Sequence, residues 1–317
     1  MTNFEMSYNL SAAEIELFEF ESILGFILPI IYGLTIPVGC LGNLLVIIAV
    51  CSQRQKRNTT DILIVNLAVV DILFIMVYVP YLVTTYFGSW ILGDFVCKLS
   101  NYILYVSATI SVYTLVMMSL DRYLAIVHPI TSKKYRTRQN VNLIVFIIWI
   151  VVSGSYLPVI NETNKIGESE LSVCGMSMTF DRRLVACFLV FAYVLPLLMI
   201  SVFYGLILKQ ILYGVAPGTS RSATRMKPMK RVAKRILVVV IAFAMCWLPD
   251  HIISMLILFG DFYNNILISS IVATSNFLAF ANSCLNPILY TFLSTKYRQS
   301  LRQLLCCKRQ RPDNLNR

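Results

Sequence analysis

Asp71 and the pair Asp121-Arg122 stand inside long apolar runs of the chain. A guanidinium surrounded by hydrocarbon is costly unless it is paired or faces a cavity. Asp121 is adjacent and can hold Arg122, giving a pair that opens when a partner or a proton competes for it. The alternative is an ordinary cationic anchor at a helix end, with Tyr123 beside it. Asp71 is a lone carboxylate, expensive in its charged form once desolvated. Ser111, Asn282 and Asn286 offer oxygens at comparable depth. These four residues can hold a small hydrated cation, sodium being the expected one, or Asp71 can sit protonated in a hydrogen-bond network. Catalytic groupings are missing. The two histidines, His128 and His251, fall at opposite ends of the structure the runs would build, and neither His-Glu-x-x-His nor Gly-x-Ser-x-Gly occurs. A membrane enzyme is therefore disfavoured. A transporter or channel needs several ionisable groups along a path, and only Asp71 (deep) and Asp250 (shallow) are on offer.

The elements that must position these residues follow from composition. The chain has 317 residues, 57% hydrophobic and 14% charged, against about 25% charged in soluble domains. So much apolar surface cannot be hidden in one water-soluble core, and lipid must be the solvent for much of it. Disorder and collagen-like or coiled-coil classes fail on composition. Seven runs are long enough to cross a bilayer: Gly25–Val50, Asp61–Tyr86, Phe95–Val127, Asn140–Ile160, Leu184–Leu212, Arg231–Leu258 and Leu267–Phe292. The expected fold is an all-α membrane protein, a seven-transmembrane helix bundle over residues 25–293. Residues 1–24 would form an extracellular tail, 294–305 a short amphipathic helix and 306–317 a cytoplasmic tail.

Charge sets the orientation. The net charge is +11, yet only Lys98, Lys165, Arg182 and Arg183 among the bases fall in segments assigned to the outside, while Glu14, Glu16, Glu19, Asp94, Glu162 and Asp181 are among the acids that do. That asymmetry is the positive-inside pattern; it places the N-terminus outside and the C-terminus inside, and it disfavours nucleic acid as the partner. The acidic first twenty residues lack the basic segment of a cleavable signal peptide. Asn9 and Asn161 head glycosylation sequons on outer segments, whereas the sequon at Asn58 lies in the first inner loop.

Cys97 lies 25 residues before Arg122, roughly 37 Å along one helix, and so reaches the oxidising outer surface. Cys174 is the one cysteine in an outer loop, so a Cys97–Cys174 disulfide stapling that loop over the bundle mouth is expected. Asn161–Arg183 outside and Tyr213–Lys230 inside are the two longer loops, the latter cationic and facing the anionic leaflet. In Ser294–Leu305, Tyr297, Leu301, Leu304 and Leu305 would meet lipid, and Cys306 and Cys307 follow as S-palmitoylation sites or as reduced thiols. Five spans hold an internal proline, at Pro80, Pro158, Pro196, Pro249 and Pro287, so hinges or bent packing are expected. Cys246-Trp247-Leu248-Pro249 and Asn286-Pro287-Ile288-Leu289-Tyr290 couple such kinks to large or polar groups. Tyr204 and Tyr290 both point to the inner side, where they could meet through a water.

The ordered set Gly42-Asn43, Leu67-Ala68-Val69-Val70-Asp71, Trp90, Cys97, Asp121-Arg122-Tyr123, Trp149, Pro196, Tyr204, Cys246-Trp247-Leu248-Pro249 and Asn286-Pro287-Ile288-Leu289-Tyr290 resembles class A (rhodopsin-like) G-protein-coupled receptors over residues 25 to 307. The stretches Ser111–Leu120 running on to Ser132, and Gly214–Gly218 followed by Lys230-Arg231-Val232, resemble allatostatin A receptors, invertebrate relatives of galanin receptors. The resemblance implies a plasma-membrane receptor for a short amidated neuropeptide that activates a heterotrimeric G protein, with Gi/o expected. Receptors of the same class for somatostatin- or kisspeptin-like peptides are the nearest alternative. Asp250 directly after Pro249 departs from either group.

Leu104 stands where amine receptors carry an aspartate, so an ammonium would lack its counter-ion there. Phe280 stands where opsins carry their lysine, which excludes a retinal Schiff base. A peptide or lipid ligand remains. The acidic outer face would attract a cationic peptide. Asp250 is expected to meet its cationic group and His251 its terminal amide, or the two form an internal polar pair closing the sixth and seventh spans. Asn101, Tyr105, Asn276 and Phe280 are expected to line the pocket. Arg182 and Arg183 are rim contacts or interfacial anchors. Trp247 and Phe243, packed against Val112 and Pro196, would carry the signal inward to Asp121, Arg122, Tyr123, Tyr204 and Tyr290.

Overall fold

Apolar runs of this length in lipid must satisfy their backbone groups internally, and helices do so. The computed structural model describes residues 12–52, 58–167, 172–213, 220–259 and 266–293. They form α1 (Ala12–Cys51), α2 (Thr59–Phe87), α3 (Gly93–Val127), a 3-10 turn (Thr131–Lys134), α4 (Arg138–Ser155), α5 (Leu157–Glu162), a hairpin of β1 (Thr163–Ile166) and β2 (Val173–Met176), α6 (Met178–Phe188), a π-turn (Leu189–Val194), α7 (Leu195–Tyr213), α8 (Ser220–Phe259) and α9 (Ile266–Leu293). Six of the resulting segments are long and apolar enough to cross a membrane. α9, 28 residues long, packs against α1, α2 and α8 and closes the bundle. The protein is an all-α membrane bundle. The expected amphipathic helix 294–305, Cys306, Cys307 and Asn9 lie outside the described residues.

Four boundaries differ from expectation. α1 starts at Ala12 rather than Gly25, because Ala12-Ala13-Glu14 and the Glu and Leu residues after them are good helix formers although the stretch is acidic. It also contains Pro29 and Pro37, so the proline-bearing spans include the first. α8 starts at Ser220, inside the segment read as an inner loop; Ala223, Arg225, Met226 and Lys227 favour helix once Pro217 and Gly218 are passed. Pro158 does not kink a continuous fourth span. α4 ends at Ser155 and the chain restarts as α5 with the proline in its first turn, where the missing N–H is no loss. The outer segment read as a loop holds the hairpin, with Lys165 opposite Cys174.

Local chemistry explains the ends and the irregularities. The Asp61 carboxylate accepts from the Asn58 backbone N–H at 3.0 Å and so opens α2; the sequon at Asn58 thus serves as a cap. Gly88, at φ 69°, ends the same helix in the left-handed region. Pro196 has no N–H for the Ala192 carbonyl and its ring crowds that carbonyl, which accounts for the π-turn directly before it.

α3 is the axis of the bundle, most of its inner half buried. Lipid supplies no hydrophobic drive between helices, so close approach and interhelical hydrogen bonds hold them. A Cβ at Gly39 would come within 2.5 Å of the Cys284 sulfur and 2.8 Å of Ile75, so that glycine sets the contact of α1 with α2 and α9. Asn43 Nδ2 donates to the Ser283 carbonyl at 3.1 Å. Asn66 joins three helices: its Nδ2 donates to Thr114 Oγ1 at 2.8 Å, and its Oδ1 accepts from Trp149 Nε1 at 2.9 Å. Asn66→Ala is therefore expected to lower stability by about 1–2 kcal/mol, read as a lower melting temperature in detergent. Trp149→Phe added to it should cost little more, since the indole donor is already orphaned. Fully additive losses would show that the shared bond is not what Asn66 contributes.

Candidate functional site

One mouth of the bundle is roofed by the hairpin. Cys97 and Cys174 are disulfide-bonded, Cα to Cα 5.6 Å, tying β2 to the first turns of α3. Ser172 donates from its hydroxyl to the Trp90 carbonyl at 2.8 Å and from its N–H to Ser89 Oγ at 3.1 Å. Trp90 is fully buried and its Nε1 donates to the Gly93 carbonyl at 2.8 Å. Asp94 accepts from the Lys165 N–H at 2.9 Å and pairs with Lys98 at 2.6 Å. Asn161, in the last turn of α5, is exposed, while Thr163 of its sequon is buried.

Below this roof lies a cavity of about 210 Å³, lined among others by Tyr105, Phe188, Trp247, Asp250, His251 and Asn276. A second cavity of about 280 Å³ toward α1 and α2 shares Tyr78, Leu104 and Asn276 with it and adds Tyr32 and Tyr81. Tyr105, Asp250, His251 and Asn276, four of the candidate ligand residues, thus line one cavity together. Two residues do not. Phe280 is fully buried, its ring 4.9 Å from Tyr32 and 4.8 Å from Tyr78; it supports the wall from behind. One residue is about 100° around a helix, and Ala279 takes the facing position instead. Asn101 is a strut under the disulfide, its Nδ2 donating to the Cys97 carbonyl at 3.1 Å and lying 3.1 Å from Cys174 Sγ. It is held there by the loop it anchors.

Asp250 makes no ion pair or hydrogen bond among the described residues. His251 turns toward the fifth span, its ring 4.6 Å from Tyr193 and 5.3 Å from Phe188. The internal pair closing the sixth and seventh spans is thus not made among the described residues, and Asp250 is left facing the cavity. Below it the aromatic chain continues: Trp247 to Phe74 at 5.6 Å and to Phe243 at 6.0 Å, and Phe243 to Tyr193 at 6.3 Å. Val112 belongs to the same buried cluster as Phe243 and Trp247, and Pro196 is buried.

Deeper still, Asp71 is fully buried. Its Oδ2 accepts from Asn286 Nδ2 at 2.7 Å. Among the described residues its Oδ1 and the Ser111 hydroxyl have no hydrogen-bond partner, while Asn282 and Ser283 are buried too. Bare buried oxygens on a carboxylate and a hydroxyl are the donor set a hard monovalent cation takes, so the residues fit one.

At the opposite end of the bundle Asp121 collects donors from four residues. Its Oδ1 accepts from Thr59 Oγ1 at 2.9 Å and Arg136 Nε at 2.8 Å; its Oδ2 accepts from Thr60 Oγ1 at 3.2 Å and Arg122 Nε at 3.1 Å. Arg122 also donates through Nη2 to Thr60 and to Asp121. Sequence pointed to the Asp121–Arg122 pair and missed Thr59 and Thr60, the first two residues of α2, and Arg136, from the connection between α3 and α4. Their one signal was a pair of hydroxyls beside a helix cap. Tyr123 bonds His128 Nε2 at 3.1 Å and stacks on Phe203. Tyr204 donates to the Ala233 carbonyl at 2.9 Å, tying α7 to α8. The side chain of Tyr290 lies outside the described residues.

The family described as 7 transmembrane receptor (rhodopsin family) matches residues 42–290. The chain is 36% identical to the Allatostatin-A receptor of Bombyx mori, over 90% of this chain and 81% of that protein. It is 32% identical to Galanin receptor type 2 of Rattus norvegicus, over 90% and 77%, and 34% identical to Galanin receptor type 1 of the same organism, over 89% and 83%. The bundle, its roofed pocket and its inner charge cluster thus coincide with the matched residues, and the chain belongs to the rhodopsin family of seven-transmembrane receptors.

Proposed function

We propose that this receptor lies in the plasma membrane with its N-terminus outside, binds a short amidated neuropeptide of the allatostatin A or galanin kind, and activates a heterotrimeric G protein of the Gi/o type. The observation that carries the reading is that one helix serves both ends. α8 offers Asp250 and His251 to the roofed cavity and, at Ala233, accepts the Tyr204 bond at the inner end. Peptide contacts at Asp250, His251, Tyr105 and Asn276 press on Trp247 and Phe243 against Val112 and Pro196. The inner end of α8 swings outward, the Tyr204–Ala233 bond opens, and Arg122 leaves Asp121 and Thr60 for a G-protein helix. A ligand drives this only by binding the open state more tightly than the closed one. The names of the relatives support the ligand class, and the unpaired Asp250 supports a cationic peptide.

The test is nucleotide exchange on Gi/o in membranes holding the full-length receptor, challenged with amidated peptides and their free-acid counterparts. Exchange driven by an amidated peptide and weakened at least tenfold in the free acid is expected. Ion flux or substrate uptake without exchange would favour a transporter or channel instead.

Sodium would be held by Asp71 and Ser111, with Asn282 and Asn286 completing the set. Bound there it supplies positive charge to the buried carboxylate and favours the closed bundle. Replacing sodium by a bulky organic cation at constant ionic strength is expected to raise agonist affinity several-fold in the wild type and to leave Asp71→Asn unmoved. Equal responses in both would remove Asp71 from that role.

A further inference from the structure

A cavity of about 660 Å³ opens sideways from the bundle, between α3, α4, α5 and α6. It is larger than either cavity below the hairpin, of about 280 Å³ and 210 Å³, and falls within the roughly 300–1,000 Å³ typical of small-ligand sites. Ile147, Val151 and Phe191 on its walls are 49%, 61% and 55% exposed. In a membrane-spanning segment that exposure is to hydrocarbon.

Local features leave the space. α4 stops at Ser155, and the Tyr156 ring is drawn inward by its hydroxyl's 2.9 Å bond with Thr109 and its stack on Tyr105. The π-turn carries Phe191 round, and its carbonyl accepts from the Tyr113 hydroxyl at 3.0 Å. The hydroxyls on the walls are all spent within the protein: Thr109 with Tyr156, Tyr113 on Phe191, and Ser155 on the Val151 and Val152 carbonyls. An occupant therefore needs no polar group inside. At the rim stands Arg183, exposed and without an ion pair among the described residues.

We propose that this cavity binds the alkyl chain of a long-chain fatty acid, whose carboxylate pairs with Arg183. The charge at the rim selects an anion and the dry walls select hydrocarbon. The choice of a fatty acid over a phospholipid rests on the orientation proposed above. Anionic phospholipids belong to the cytoplasmic leaflet, so a free carboxylate is the anionic headgroup available at the outer end.

The experiment uses the full-length receptor in phosphatidylcholine nanodiscs with palmitate carrying a diazirine on its chain, and maps photocrosslinks by peptide mass spectrometry. Crosslinks are expected to concentrate on residues 147–159 and 180–191 and to fall when unlabelled palmitate is added. Arg183→Gln should raise the palmitate needed by about three- to fivefold. Val151→Trp, at an exposed position, should close the mouth and abolish the labelling. Crosslinks spread evenly over the lipid-facing helices would mean annular lipid only and overturn the site. Unchanged competition in Arg183→Gln would overturn the carboxylate pairing, and phosphatidylserine competing as well as palmitate would overturn the assignment to a fatty acid. None of these readouts depends on signalling, so failure of the peptide assay leaves the result interpretable.

Discussion

Asp121→Ala is expected to raise agonist-independent nucleotide exchange about tenfold or more. The carboxylate is 5% exposed and receives Thr59, Thr60, Arg122 and Arg136. Removing one partner of a buried pair costs about 3–5 kcal/mol because the other charge is left uncompensated. Only the part lost from the closed state alone shifts the balance, and about 1.4 kcal/mol of it is already tenfold. The wild type itself should show measurable basal exchange. Arg122 is tied to α2 through Thr60, and the inner end of the sixth span offers Met229, Lys230 and Arg231 rather than an acid to clamp it. Thr60→Val removes the tie to Arg122 while keeping the carboxylate, and should give a smaller rise in a more stable protein. Basal exchange unchanged in both variants, at normal expression and melting temperature, would show that this cluster is not a closing latch.

Asp250→Asn is expected to shift peptide potency by about 30-fold or more without changing the maximal response. Truncating one partner of a buried charge pair at an interface costs about 2–5 kcal/mol, and Asp250 has no partner of its own among the described residues to soften the loss. The pairing is identified by a cycle. A peptide stripped of its cationic group should lose potency on the wild type and lose little more on Asp250→Asn. An unchanged response of the variant to every peptide would take Asp250 out of the recognition site.

What could be read from the chain beforehand was what hydropathy and topology control. The seven runs were visible because lipid demands them, and the Cys97–Cys174 bond because one outer loop offers one cysteine. The Asp121–Arg122 pair was visible because both members are adjacent. Partners brought from elsewhere were not. Thr59, Thr60 and Arg136 reach Asp121 only when the α2 start and the connection between α3 and α4 are packed on α3. Phe280 and Ala279 differ by one step around α9, a distinction that a hydrophobic pattern cannot make when both flanks are apolar. The start of α1 at Ala12 was hidden because its first turns are acidic, although their residues favour helix. The hairpin was hidden because strands of four residues with Lys, Asn and Gly in them carry little alternation to detect.

The length of α8 changes what a small bend at Pro249 achieves. From that proline to Ser220 the helix runs on the order of 44 Å at 1.5 Å per residue, well past the roughly 30 Å hydrocarbon layer. A tilt of only ~10° about the proline would sweep the far tip by roughly 8 Å, with no need to melt a single backbone bond below the pivot. Such a lever arm would turn a displacement of atomic size beside Asp250 into a gap wide enough to admit a helix.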